Sequence, residues 1–228
     1  MIPPLIVREA LAKNITLIAI TDHNSSANIA AVQKAAQNTP LTVLPGIEVQ
    51  TEEDVHSLCI FDTLEEIETF QKFVKAKLPP IKNNPDFFGE QFVVDETGDF
   101  LRREEQLVIL SANISLEQAQ QKTSELGGLF IPAHINRKAY GLFSHLGMLP
   151  DNMHIDALEV SRHLTLEEAR KKYPQISKYP LIQNGDVHFL ADFLGAIQFY
   201  IEKPSIAELK LALRHQDGRS FKNIPAAK

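Results

Sequence analysis

Cysteine is nearly absent from this chain: Cys59 is the one thiol in 228 residues, so no internal disulfide can form and nothing marks an oxidising compartment. Long apolar runs are missing too. No stretch approaches the roughly 18 to 20 apolar residues that span a bilayer. Arg8, Glu9 and Lys13 interrupt the region where a signal peptide would need its apolar core. Positive charge is in short supply, with a formal charge of −6 and a pI near 5.8. That balance argues against an extended nucleic-acid surface and against an anionic membrane, although a local basic pocket or a bound metal could still attract phosphate. Low-complexity tracts and solenoid periods are also absent. What remains is a soluble, cytoplasmic chain acting on small substrates, long enough for one large α/β domain or two small ones.

Apolar periodicity supplies the elements. Pro3 and Pro4 open a helix over Leu5 to Lys13, and Leu17 to Thr21 reads as a buried strand. Ser25 and Ser26 are expected to cap a helix over Ala27 to Gln37. Leu41 to Leu44 is the next strand, and Pro45-Gly46 is expected to turn the chain before Ile47 to Val49. Val55 to Phe61 follows too soon for a helical crossover, so a hairpin and a mixed sheet are expected. Leu64 to Lys77 has the spacing of an amphipathic helix.

From Leu78 to about Ser111 the pattern breaks into prolines, asparagines and a turn at Asp95 to Asp99, which suggests an inserted hairpin too short for a core of its own. Regular alternation then resumes. Ser115 with Gln118, Thr165 with Glu168, and Ser205 with Glu208 are helix-start patterns. Strands are expected at Leu129 to Pro132, Ala157 to Val160, Leu181 to Gln183 and Ala196 to Ile201. Residues 1 to 216 form the expected domain, and 217 to 228 read as a flexible tail.

The apolar strands deliver chemistry at their ends. Asp22 and His23, Glu48, His134, and Asp186 with His188 all stand at or just after strand termini, and His56 heads the hairpin strand. Carboxyl ends of parallel strands collect ligand-binding groups because helices cover the faces. Imidazoles and carboxylates together suit zinc, manganese or iron, and a carboxylate can bridge two ions. Each residue alone has a plainer reading: a lone histidine is usually hydrogen-bonded in a core, Glu48 could cap a turn, and Asp186 could cap a helix.

The series Ile-Thr-Asp-His-Asn (20 to 24), Pro-Gly-Ile-Glu-Val (45 to 49), Glu-Asp-Val-His (53 to 56), Pro-Ala-His (132 to 134) and Gly-Asp-Val-His (185 to 188) resembles the PHP family, named for polymerase and histidinol phosphatase domains. The resemblance runs over nearly the whole chain. It implies a distorted (β/α)7 barrel carrying up to three divalent metals, and hydrolysis of a phosphomonoester or a small nucleotide phosphodiester by metal-activated water. It further implies metal ligands at His23, Glu48, His56, His134, Asp186 and His188, with Glu48 bridging and Asp22 in support. Arg137 and Arg162 follow motif strands and could meet a phosphate through bidentate guanidinium contacts. His145, His154, His163 and His215 match no motif and are expected to be surface or structural.

One part of the family pattern is missing. Members usually begin with a strand carrying His-x-His, whereas this chain starts at the helix that would follow it. A truncated front is the favoured explanation, because the remaining ligand positions are all filled. The barrel is then expected to be incomplete, to hold fewer than three metals, and to self-associate through the open edge beside Leu17 to Thr21. The rival reading is a degenerate, non-catalytic domain that binds a ligand or partner.

Overall fold

Most helix starts here are set by short polar side chains, at Thr63, Asn84, Ser115, Thr165 and Ser205, that satisfy otherwise orphaned backbone N–H groups. In this computed structural model, which describes residues 1–151 and 153–224, the chain opens with α1 (Pro3–Ala12), β1 (Leu17–Ile20) and α2 (Ile29–Ala35). Then come β2 (Thr42–Gln50), β3 (His56–Ile60) and α3 (Leu64–Lys77), the last opened by reciprocal bonds between Thr63 and Glu66. The expected insertion holds a single-turn helix, α4 (Pro85–Phe88), and the hairpin of β4 (Phe92–Val94) and β5 (Phe100–Arg103). Ser115 and Gln118 cap α5 (Leu116–Glu125), which leads to β6 (Leu129–Pro132) and α6 (Leu142–His145). β7 (Leu158–Glu159), α7 (Leu166–Lys172) with its Thr165–Glu168 box, β8 (Leu181–Ile182), β9 (Ile197–Tyr200), α8 (Ile206–Leu213) and β10 (Ser220–Asn223) complete the chain.

The main sheet is mixed, in the order β1-β2-β3-β6, with β1 and β2 parallel and the other two pairs antiparallel. The parallel pair β7–β8 lies beside it, joined where Asp156 N–H donates to the Phe130 carbonyl at 3.2 Å and Ile135 N–H to the Glu159 carbonyl at 2.9 Å. Among the described residues no strand pairs with the outer edge of β1, so this is the expected barrel left unclosed. Both sheet faces are covered. Along β3, Leu58 and Ile60 join one cluster with Leu129, Ile131 and Leu209, while Cys59 and then Phe61 join another with Phe70, Val74 and Phe130. This is the two-residue alternation of a strand buried on both sides.

Three expectations are corrected. Pro45-Gly46 is no turn, because β2 runs straight through it for nine residues. Proline is tolerated here because its carbonyl accepts from Phe61 N–H at 2.8 Å, so its missing N–H faces β3 one position beyond the last β2–β3 pair, Gly46–Ile60, and a proline fits where a ladder stops. The glycine reflects close packing: a Cβ at Gly46 would meet Thr21 Cγ2 at 2.9 Å and the Cys59 carbonyl at 3.1 Å. Ser25 and Ser26 do not cap α2. Its N-cap is Asn28, whose side chain instead bonds the hairpin at Phe92 O (3.1 Å) and Val94 N (3.0 Å).

The third correction concerns the tail. Residues 220–223 form β10, antiparallel to β9, and Asn223 bonds Gln183 N and Leu181 O at the two ends of β8. A four-residue strand carries too little periodicity to be read alone; it is stabilised by its partner. Residues 225–228 lie outside the described residues.

Candidate metal centre

Glu48 sits near the end of β2 with its carboxylate among three imidazoles. Oε1 lies 3.1 Å from His56 Nδ1 and 3.3 Å from His134 Nε2, and Oε2 lies 3.4 Å from His23 Nδ1. Three separate backbone devices converge on this point. His23 is carried past the end of β1 by a continued parallel ladder, in which Glu48 N–H donates to Asp22 O (3.2 Å) and Asn24 N–H to Glu48 O (3.0 Å). His56 stands opposite Gln50 on the hairpin partner strand, β3, diagonal to Glu48. His134 follows β6 at a left-handed φ of 30°, a strained backbone of the kind that clusters at functional sites.

Burial raises the Glu48 carboxyl, but hydrogen bonds with His134 and His56 and the charges of His56 and His23 outweigh it, holding the group well below the usual carboxylate range. Burial pushes the His23 imidazole below its ordinary value, with Glu48 opposing. His56 is held from behind by Gln50 Oε1 at 3.2 Å, and Gln50 in turn reaches Ser111 at 2.8 Å. The Tyr140 ring stacks on the His56 ring, with centroids 4.4 Å apart.

The second half of the expected ligand set lies alongside. The His188 ring centroid is 6.2 Å from that of His23, and His188 Nδ1 stands 3.6 Å from Asp186 Oδ1. Asp186, also at a left-handed φ of 46°, is ion-paired with Arg137 at 2.5 Å. Arg162 pairs with Asp192 at 2.8 Å. Asp22 is exposed, and its contribution to the cluster runs through its backbone carbonyl.

The donor set fits a divalent cation. His23, Glu48 and His56 offer ligand atoms that all lie within 4.8 Å of one another. His23 Nδ1 and His134 Nδ1 are buried without a hydrogen-bond partner, a costly state for an imidazole nitrogen that coordination would relieve. The histidines outside the motifs behave otherwise: His145 accepts from Tyr140 N, His154 lies 3.3 Å from Asp156, His163 is exposed, and His215 stacks on Phe221.

Two residues escaped sequence reasoning. Glu159 is buried on β7, its Oε2 accepting from His134 N–H at 3.3 Å, and burial pushes its carboxyl up to about 7. The available signal was an acid inside the apolar run Ala157 to Val160. Asn24, directly after His23, is buried at a φ of 49° and clamps the end of the insertion through Val108 O (2.9 Å) and Leu110 O (2.8 Å).

The fold is shared with a PHP-like metal-dependent phosphoesterase, and the chain carries a histidine and glutamate cluster. A two-domain protein from Bacteroides vulgatus, described as containing a predicted PHP-like metal-dependent phosphoesterase, aligns with 96% of this chain and 59% of its own, at TM-score 0.52 and 13% identity. The lesion-specific endonuclease PfuEndoQ from Pyrococcus furiosus aligns with 97% of this chain and 53% of its own, at TM-score 0.72 and 21% identity. Endonuclease Q in complex with a 27-mer duplex bearing an abasic lesion aligns at TM-score 0.67 and 19% identity, over 95% of this chain and 52% of its own. In sequence, the uncharacterized protein YqxK of Bacillus subtilis is 28% identical over 191 residues, 79% of this chain and 43% of that protein. The chain thus spans about half the length of these relatives. No family model matches it.

Proposed function

We propose that this chain hydrolyses phosphate esters with divalent metal, and that the ester is a phosphodiester of a nucleic acid. One observation carries the chemistry: a buried carboxylate, Glu48, whose two oxygens face different imidazoles, Oε1 toward His56 and His134 and Oε2 toward His23. His23, Glu48, His56, His134, Asp186 and His188 would hold the metals, with Asp22 in support through the backbone of the His23 segment. A bound divalent cation supplies a Lewis acid and activates water for attack on phosphorus.

The chain's own side chains prepare that event. Glu48 stays ionised and places negative charge between the imidazoles, while Gln50 and Tyr140 fix the plane of His56. Glu159 holds the backbone that presents His134. Arg137 and Arg162 bring guanidinium forks that can bind phosphoryl oxygens once released from their carboxylates.

Acidic net charge alone favours small phosphorylated substrates. The likeness to an endonuclease seen on a duplex supports the nucleic-acid reading instead, and it limits the expectation that no extended nucleic-acid surface exists. Zinc, manganese and iron all suit this donor set. Among the described residues no helix is long and apolar enough to cross a membrane.

The test is a metal-reconstituted protein assayed on a labelled oligonucleotide duplex and on a generic phosphomonoester, beside Glu48→Gln and His134→Ala. Metal-dependent cleavage of the duplex that falls about 100-fold or more in both variants supports the reading. Turnover of the monoester alone would restrict the substrate to small esters. A metal-loaded chain that hydrolyses neither, with His134→Ala lowering only stability, would leave the non-catalytic reading standing.

A further inference from the structure

A cavity of about 540 Å³ opens where β8 begins, lined among others by Arg170, Lys178, Arg214, His215 and Lys222, and by no aspartate or glutamate. None of its lining residues belongs to the histidine cluster. It takes in Pro180 and Leu181, whereas Asp186 and His188 follow the carboxyl end of the same strand. In a chain with 29 acidic and 23 basic residues, four permanent cations around one hollow without a carboxylate is a local reversal of charge.

Of the four cations, Arg214 alone has an ion-pair partner among the described residues. Among the described residues Lys178 and Lys222 have no ion pair; their ammonium groups lie over the rings of Tyr179 (5.2 Å) and Tyr200 (5.6 Å). Arg170 donates to the carbonyls of Ser177 (3.0 Å) and Tyr179 (3.4 Å), which fixes its guanidinium at the rim. Arg214 shares the buried Asp156 at 3.7 Å and reaches His154 at 3.5 Å. Clustered like charges repel, and walls of low dielectric focus their field outward, so such a hollow is stabilised by an anion entering it. Leu213 and Phe221 add an apolar and aromatic wall, with the Phe221 ring stacked on His215 at 5.4 Å.

We propose that this basic cavity is a phosphate-binding site separate from the metal centre, taking either a free phosphorylated small molecule or one phosphate of a nucleic-acid strand. Lys178 and Lys222, which have no ion pair among the described residues, are the point charges that meet the phosphate, and Arg170 and Arg214 set the rim. Its volume lies within the roughly 300–1,000 Å³ typical of ligand pockets. The site is independent of the reaction proposed above.

The experiment measures binding to the full chain in chelator, so that no metal at the histidine cluster can hold phosphate. Fluorescein-labelled oligothymidylate is followed by anisotropy, and inorganic phosphate by calorimetry. The probes separate the two sources: both binding means a site for phosphate as such, and only the oligonucleotide binding means a strand site. In either case Lys178→Glu/Lys222→Glu should weaken binding about tenfold or more and reduce the salt dependence by about two charges. Lys72→Glu, on the exposed face of α3, should change nothing. Thermal unfolding checks the fold. If the double reversal is unstable, Lys178→Gln/Lys222→Gln replaces it, with an expected loss of about threefold or more. Failure of both probes to bind, or equal binding by the double variant, overturns the proposal whatever the phosphoesterase assay shows.

Discussion

Arg137 Nη2 lies 2.5 Å from Asp186 Oδ2, so the carboxylate proposed as a metal ligand also anchors a guanidinium proposed for phosphate. The guanidinium neutralises charge on the carboxylate that a metal would otherwise draw on, while Oδ1 faces His188 at 3.6 Å. Arg137→Ala should therefore raise the affinity for the most weakly held metal about threefold to tenfold, the scale of a partly buried ion pair. Calorimetric metal titration checks this. Turnover should fall in the same variant, and a fall in both metal affinity and turnover would show that Arg137 supports Asp186 instead of competing with metal.

Glu159 gives the apoprotein a distinctive pH dependence. Its carboxyl is pushed by burial from an ordinary value near 4.5 up to about 7, so the folded state holds a proton that the unfolded state releases. Its contribution to stability should fall as pH rises through that window and level off above it, by on the order of 3 kcal/mol in full. Glu48 acts with the opposite sign. Its depressed carboxyl adds stability that is complete above the ordinary carboxylate value and is lost as pH falls below it. His23, lowered by burial, adds stability as pH rises through the ordinary histidine range and so opposes Glu159. Denaturant midpoints in chelator from pH 5 to 7.5 should therefore climb more with pH for Glu159→Gln than for the wild type.

Gly46→Ala should destabilise the chain by about 1–3 kcal/mol, because the added methyl meets Thr21 Cγ2 at 2.9 Å and the Cys59 carbonyl at 3.1 Å. Since β1 and β2 must separate slightly, His23 would drift from Glu48 and metal affinity should fall as well. Thr21→Ser removes the nearest clash, so the double variant should recover part of the stability. Chemical denaturation with parallel metal titration distinguishes this from a purely local strain within β2, which would leave metal affinity unchanged.

Cys59 is fully buried in β3, and burial pushes its thiol up to about 12. A thiol reagent at neutral pH should label it only as fast as the protein opens, and instantly in denaturant. Rapid labelling of the folded protein would contradict the depth assigned to β3.

Helices were legible where local rules suffice. The interval Leu64 to Lys77 matches α3 to the residue, because amphipathic spacing and the Thr63–Glu66 cap act within a few positions. Ser115 and Thr165 open α5 and α7 for the same reason. At Ser205 the cap bond to Glu208 N forms, but the Glu208 carboxylate turns to Arg219 and Glu202 N, partners that no spacing reveals. Ser25 and Ser26 failed as caps because Asn28, the actual N-cap, is engaged by a hairpin more than sixty positions on.

By itself the sequence determined, from two- and 3.6-residue periods, which residue types stand at the expected strand ends. The expectation that these imidazoles and carboxylates share one rim came from motifs whose order resembles the PHP family. Only the tertiary structure decided that Glu48 divides its oxygens between His23 and the pair His56 and His134, that Glu159 holds His134, and that Gly46 allows close packing instead of a turn. Each of these depends on backbone segments far apart in sequence being brought within about 3 Å, a hydrogen-bond distance, by packing. Local propensity carries no information about such distances. The same holds for the basic hollow, whose cations come from α7, the loop before β8, the end of α8, and β10, and meet only when the chain has folded.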